Sequence, residues 1–371
     1  MSIVFTEEQE ELRRTVRAFL DQKSPEAEVR RLMETDEGYD PAVWRQMGEQ
    51  LGLQGLAIPE EHGGSGYSFV ELGIVLEEMG RRLLCAPFFA SAVLAADTLL
   101  LSGDADAQAR WLPGIASGAS IGTLAVTEAS GAWEEAAVEA SATSSGDGWT
   151  ITGEKWFVLD GLVADLVLVL ARTDGGVSLF AVAGDAPGLS RTPLVTLDLT
   201  RKQAKLDLLG TPAELVGVEG EGWAVVEQVT ERAVVALSAE QVGGAQFALD
   251  MAVEYAKDRV QFGRVIGSYQ AIKHKCANML MAVEAAKSGA YHAWSCVANG
   301  DEERAEAAAI AKSACSEAYL FVAAENIQIH GGMGFTYEHP AHLYLRRAKT
   351  TELLFGEPAA WRDQLARHIG A

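Results

Sequence analysis

Four groups of residues have the types and spacing to do chemistry. His339-Pro-Ala-His342 sets two imidazoles three residues apart, a pattern able to grip a metal ion from one face of a helix. Pro340 spoils a regular helix there. No carboxylate pattern completes a ligand set, so no metal site is expected. Ile58-Pro-Glu-Glu-His-Gly-Gly-Ser-Gly66 is rich enough in glycine to wrap a phosphate. It lacks the Gly-Lys-Ser/Thr ending through which such loops hold a nucleotide, and a turn between helices is expected instead. Cys85, Cys276, Cys296 and Cys315 form no Cys-x-x-Cys pair, and three lie in alanine-rich, helix-like sequence, which reads as buried free thiols. His330, beside Gly331-Gly332, reads as a hydrogen-bonded structural residue. No Gly-x-Gly-x-x-Gly fingerprint follows a strand.

The chain has 371 residues, 49% hydrophobic and 22% charged, the profile of a globular protein of two or three domains. Against 30 Lys and Arg stand 52 Asp and Glu, a net charge of −22. That balance argues against nucleic acid as a partner, because phosphate binding needs clustered positive charge. Any anionic ligand must find a locally basic patch on a repulsive surface. The first ten residues are acidic and amphipathic, unlike a signal peptide. The most apolar stretch, Leu162 to Ala171, is interrupted by Asp165 and too short to cross a bilayer. A soluble, reduced, cytoplasmic protein without membrane insertion is expected.

The elements that must carry any site fall into three blocks. Apolar residues recur at helical spacing from Thr6 to about Ser117, as in Leu12, Val16, Phe19 and Leu20. Thr6 with Gln9 has the form of a capping box. From about Ile121 to Gly220 the pattern turns to short β-type runs: Gly146-Asp-Gly-Trp-Thr-Ile-Thr152 reads as a turn feeding a strand, and Leu162–Leu170 and Val177–Val182 as further strands. Strands without interleaved helices predict an antiparallel barrel or sandwich. From about Trp223 the sequence is helical again, with breaks at Asn299-Gly-Asp-Glu-Glu303 and Gly331-Gly-Met-Gly334. The expected domains are helical over 1–120, β over 121–222 and a helical bundle over 223–371.

Asp258-Arg-Val-Gln-Phe-Gly-Arg-Val-Ile-Gly-Ser-Tyr-Gln-Ala-Ile272 resembles the Arg-x-x-Phe-Gly…Gln signature of the flavin-dependent acyl-CoA dehydrogenases. Ile327-Gln-Ile-His-Gly-Gly-Met-Gly-Phe335 is similar to that family's Gln-x-x-Gly-Gly-x-Gly turn, and Ile58-Pro-Glu-Glu-His-Gly-Gly and Val126-Thr-Glu128 match in the right order. The resemblance covers the whole chain. It implies an N-terminal helical domain, a middle β domain and a C-terminal four-helix bundle, with FAD bound without a Rossmann fold. It implies that Arg259 neutralises the flavin pyrophosphate and that Phe262 offers an aromatic face. Gln261, Tyr269, Gln270 and Gln328 would complete the cofactor set, and Gly331 and Gly332 would admit the adenosine side. Thr127, Phe157 and Leu159 fall at or near flavin-contacting positions of the β domain. The implied reaction is α,β-dehydrogenation of an acyl-CoA thioester, a carboxylate removing the α-proton while the β-hydrogen leaves as hydride.

The sequence departs from the family where that carboxylate belongs. Thr351-Glu-Leu-Leu-Phe-Gly-Glu-Pro358 puts Phe355 at the usual glutamate position. The alternative position, on the long helix before the arginine motif, falls on Ala233. Glu231, two residues off, is rotated roughly 200° around a helix, and Glu240 lies two turns further on; these are the weak candidates for a base. In the β domain Trp133 replaces a cofactor-touching serine, and Phe157 and Leu159 carry no hydroxyl to offer a flavin.

In the family the residues lost here act on the subunit's own flavin, and the residues kept reach a neighbour's. The chain is therefore expected to lend its helical half-site to a catalytically complete partner, as in the α2β2 acyl-CoA dehydrogenases of actinobacterial steroid side-chain degradation. A self-sufficient homotetramer using Glu231 or Glu240 and a subunit without flavin are the alternatives. Electron-transfer flavoprotein is the expected electron acceptor. For CoA phosphates the basic candidates are Lys273, His274 and Lys275, with Arg346, Arg347 and Lys349.

Overall fold

The computed structural model describes residues 5–146 and 148–370. Six helices come first: α1 (Glu7–Lys23), α2 (Glu26–Met33), α3 (Pro41–Leu51), α4 (Phe69–Arg81), α5 (Ala96–Leu101) and α6 (Ala105–Ser117). Strands follow: β1 (Gly122–Ala125), β2 (Ser141–Ser145), β3 (Gly148–Leu159), β4 (Leu166–Thr173), β5 (Gly176–Ala183), β6 (Leu189–Pro193) and β7 (Gln203–Val216). The C-terminal part holds α7 (Gly222–Asp258), a small hairpin of β8 (Val260–Gln261) and β9 (Arg264–Val265), then α8 (Gln270–Asn299), α9 (Arg304–His330), α10 (Ala341–Leu353) and α11 (Pro358–His368). The expected helix, strand, helix order is present. Contacts group the chain into two compact units, one of Met1–Val29, Ser68–Leu84 and Val234–Ala371, the other of Arg30–Tyr67 and Cys85–Ala233.

In the first unit local signals start and stop helices where the sequence says they should. Thr6 and Gln9 form the reciprocal capping box that opens α1, whose Val16 and Leu20 are buried. Gly300, at φ +67°, ends α8 within the expected 299–303 break. Backbones meet closely where α4 crosses α7, since a Cβ on Gly243 would lie 1.8 Å from the Glu77 carbonyl oxygen. Helix α9 is long and apolar enough to cross a membrane by length and composition, a feature the sequence reading placed nowhere. Most of it is buried among the other helices of its unit, so its apolarity is that of a core helix.

The second unit holds the β region. Pairing runs β4–β2–β3–β7–β5 and returns from β5 to β4, a closed ring, with β1 added at β4 and β6 at β7. Ile151, Val167, Val169, Phe180, Leu206 and Leu208 fill its core. An antiparallel barrel or sandwich was expected; the sheet closes as a barrel, but β1 and β2 both pair with β4 in parallel. The expected strand at Leu162 starts only at Leu166. Of the expected turn at Gly146-Asp147-Gly148, Asp147 lies outside the described residues, as do Met1–Val4 of the N-terminal reading. The Ile58–Gly66 loop is a turn, as expected, closed by Gly64 N–H donating to Pro59 and Gly66 N–H to Ile58.

Candidate cofactor site

Within the first unit, α7 stops at Asp258 and the chain reverses through the hairpin before α8 begins. Val260 pairs with Val265 and Gln261 with Arg264, leaving Phe262 and Gly263 as the two turn residues. Both have positive φ, 52° and 79°, as a two-residue hairpin turn of right-handed twist requires. Glycine adopts this freely; a phenylalanine there is an outlier. The strained backbone presents the Phe262 ring to solvent, 92% exposed. Tyr269 steadies the hairpin: its hydroxyl donates to the Gln261 carbonyl at 3.1 Å, its ring meets Phe262 edge-on, and the Arg264 guanidinium covers its face at 3.9 Å.

Beside the hairpin, α9 ends at His330 and the chain turns through Gly331 at φ +61°, ψ −139°, a conformation essentially restricted to glycine. Arg259, Gln261, Phe262, Tyr269, Gly331 and Gly332 line one open cavity of about 440 Å³ with Tyr255, Ile266, Ile272, Ile329 and His330. Six of the eight principal cofactor residues read from the sequence thus converge. Gln270 and Gln328 do not line this cavity; the Gln270 amide lies 3.4 Å from His274 Nε2, and Gln328 is exposed on the last turn of α9. Sequence reasoning did not single out Tyr255, although it lies one turn before Arg259, whose N–H donates to the Tyr255 carbonyl at the end of α7. Among the described residues, no hydrogen bond or ion pair engages the Arg259 guanidinium, and Cβ atoms on Gly331 or Gly332 would meet open space.

The β-region candidates sit in the second unit. Thr127 donates its hydroxyl to the Trp156 carbonyl at 2.8 Å and accepts the Trp156 N–H at its own carbonyl, so it ties two chain segments together. Its neighbour Glu128 receives the backbone N–H groups of Glu139 and Ala140 and the ammonium of Lys155 at 2.8 Å. Phe157 is 43% exposed at φ 59°, within the irregularity that breaks β3 pairing between Lys155 and Val158; Leu159 is buried. The Trp133 indole donates to the Thr230 hydroxyl at 3.2 Å.

Comparison with known proteins now decides the family. Models of the N-terminal, middle and C-terminal domains of acyl-CoA dehydrogenase match residues 6–119, 123–203 and 220–370. The chain belongs to the acyl-CoA dehydrogenase family. Acyl-CoA dehydrogenase IpdE2 of Mycobacterium tuberculosis is 35% identical over 95% of this chain and 94% of its own. Among solved structures, the ChsE4–ChsE5 complex from Mycobacterium tuberculosis contains a chain that superimposes with a TM-score of 0.90, at 30% identity over 100% of this chain and 99% of that one. A Tcur3481–Tcur3483 steroid ACAD variant gives 0.86, at 30% identity over 98% of each chain.

As an acyl-CoA dehydrogenase the chain is an oxidoreductase, of a family whose members generally depend on FAD. The cavity beside the hairpin fits one half of such a dinucleotide: an unengaged guanidinium, an exposed aromatic ring and a glycine pair that leaves room for close approach. The β-region positions offer the other half little, since Phe157 and Leu159 have no polar side-chain atom and Trp133 is turned to Thr230.

The carboxylate candidates of this acyl-CoA dehydrogenase are differently placed. Glu240 is buried, and its carboxylate stands 3.8 Å from the guanidinium of buried Arg347. Glu231 is half-buried, and Ala233 is fully buried. Phe355 is 7% exposed at φ 60°, its carbonyl accepting the Trp361 indole N–H at 2.8 Å. Three of the proposed CoA-binding cations are engaged within the chain: Lys275 with Glu325, Arg347 with Glu240 and Lys349 with Glu352. His339 accepts the Ala341 N–H at Nδ1, and His342 pairs through Nε2 with the Tyr337 carbonyl, so both histidines of the possible metal motif have structural partners.

Proposed function

We propose that this chain is the cofactor-lending subunit of a hetero-oligomeric, FAD-dependent acyl-CoA dehydrogenase. One observation carries the reading: Arg259, unengaged among the described residues, stands in a cavity with an exposed aromatic and two glycines, on a protein of net charge −22. Such a guanidinium is suited to hold a pyrophosphate bidentately. Phe262 and Tyr269 would flank the bound group and Gln261 would offer a neutral donor and acceptor beside it, while Gln270 and Gln328, outside the cavity lining, and Thr127, Phe157 and Leu159 would make at most weak contacts. Bound FAD would supply the two-electron acceptor for the hydride leaving the β-carbon of an acyl-CoA thioester. The chain's own residues would anchor and orient it. Phe355 cannot take a proton, and Glu240 is held by Arg347, so the base would come from a partner subunit of the same family in an α2β2 assembly.

The heteromeric reading is supported by relatives described as the ChsE4–ChsE5 complex and as a Tcur3481–Tcur3483 steroid ACAD. A steroid or fatty acyl-CoA substrate, electron-transfer flavoprotein as acceptor, a cytoplasmic location and domain limits near 120 and 222 belong to the same proposal. The test is to purify the chain alone and co-expressed with a family member that has its glutamate, then measure flavin content and acyl-CoA oxidation. Flavin and activity are expected only in the co-expressed assembly. Full FAD occupancy with activity in the isolated chain overturns the lending role, and a colourless, inactive assembly overturns the cofactor.

A further inference from the structure

His330 reaches the cavity with only one edge of its ring left to use. One face stacks on Tyr255, ring centres 4.2 Å apart at 27°. His339 lies 4.3 Å away at 48° as a second ring neighbour. Nδ1 is 2.9 Å from the Asn326 carbonyl oxygen. A carbonyl only accepts, so Nδ1 carries the proton and Nε2 of the neutral ring is left as an acceptor. Burial favours that neutral form by holding the imidazole below its usual range, against the raising effect of the Asn326 hydrogen bond. The side chain is 5% exposed and belongs to the cavity lining beside Gly331. Arg259, in the same lining, can only donate. The cavity therefore combines a cation for phosphate with a neutral acceptor for something else.

We propose that His330 Nε2 is a specificity-determining acceptor that takes a hydrogen bond from an N–H or O–H donor of the ligand's nucleoside, the exocyclic amine of adenine or a ribose hydroxyl. The inference rests on the reading of this cavity as the adenosine-diphosphate half of an FAD site. An acceptor fixed by two ring neighbours and a backbone carbonyl is pre-organised, so a ligand lacking the donor leaves it unpaired and loses affinity.

The experiment is isothermal titration of the full chain with ADP, inosine diphosphate (no exocyclic amine), 2′-deoxy-ADP and 3′-deoxy-ADP. In wild type, one of the three analogues is expected to bind about three- to tenfold more weakly than ADP, the range of one neutral hydrogen bond. His330→Phe, which keeps an aromatic ring in the stack, should abolish that difference, and His330→Gln, which restores an acceptor, should recover part of it. Equal binding of all four nucleotides by wild type overturns the assignment. So does discrimination that survives in His330→Phe. If His330→Phe does not fold, the wild-type series together with His330→Gln still decides. A folded wild-type chain that binds no ADP at millimolar concentration overturns the dinucleotide reading itself, and this assignment with it.

Discussion

The ammonium of Lys312 lies 2.6 Å from the carbonyl oxygen of Thr351 and 3.0 Å from that of Glu352, with its side chain fully buried. It thereby caps the C-terminal end of α10, where carbonyls lack intrahelical partners and the helix dipole is negative. The segment that follows is pinned twice more. Ser313 donates to Pro358 at 3.4 Å, and the Trp361 indole to Phe355. This turn is the one where the family resemblance puts a glutamate. Here its geometry is held firmly around a phenylalanine.

Burial pushes Lys312 down from 10.5 to about 7, only partly opposed by Glu352. Between pH 7 and 10.5 the unfolded chain keeps a proton on this lysine that the folded chain has released, so stability rises with pH through that window; below pH 7 the full penalty of the buried charge applies. Denaturant melts at pH 7 to 10 should show this slope. Lys312→Met should flatten it relative to wild type while leaving two carbonyls unpaired, at about 1–3 kcal/mol each. An unchanged slope in the variant would show that Lys312 does not titrate there.

Breaking the Lys155–Glu128 pair should be asymmetric. Burial lowers the Lys155 pKa, and Glu128 opposes that shift. Glu128→Ala leaves a buried ammonium with only the Val126 carbonyl as counterpart and strands two backbone N–H groups, a loss of about 3–5 kcal/mol. Lys155→Met leaves Glu128 still bonded to Glu139 and Ala140, so it should be the milder change. Urea midpoints of the two variants check the order; the reverse order refutes this account of the pair.

The motifs are legible because their residue types are unusual and closely spaced, and six residues of the two C-terminal motifs share one cavity. What the sequence concealed is mostly geometry held by tertiary contacts. Five non-glycine residues among those described have positive φ, and three of them, Phe157, Phe262 and Phe355, stand at positions the family pattern marks. Nothing in a phenylalanine's propensity announces this. Strained backbone survives only where its surroundings enforce it. The two-residue strands β8 and β9 are too short for periodicity to register. The parallel pairing of β1 with β4 depends on residues more than forty positions apart. The pairing of Glu240 with Arg347 left no local signal because the two are equally remote in sequence.

That ion pair separates a structural from a chemical role. Glu240→Gln leaves Arg347 facing a neutral amide inside the protein and should lower stability by about 3–5 kcal/mol. Glu231→Gln, at a half-buried position, should change it far less. In the assembled enzyme both variants should retain turnover within a few-fold once corrected for folded protein. A loss of a thousandfold or more in either, with the fold intact, would identify the base within this chain.

The two glycines of the cavity give the sharpest contrast. Gly331 holds φ +61°, ψ −139°, so Gly331→Ala forces an L-residue into a strained conformation and should lower stability by about 1–3 kcal/mol. Gly332 has no positive φ, and a Cβ there would meet nothing within 4 Å. Gly332→Ala should therefore melt within about 1 °C of wild type, a surface change of under 0.5 kcal/mol, yet place a methyl group inside the cavity. Arg259→Gln should likewise spare the fold, because its guanidinium is exposed and engaged with none of the described residues. It should weaken ADP binding by roughly ten- to a hundredfold, the range for a charge-assisted hydrogen bond. Thermal melts and nucleotide titrations on the same preparations read both quantities. Gly332→Ala and Arg259→Gln variants that keep wild-type affinity would mean that the cavity beside the hairpin is not where the dinucleotide binds.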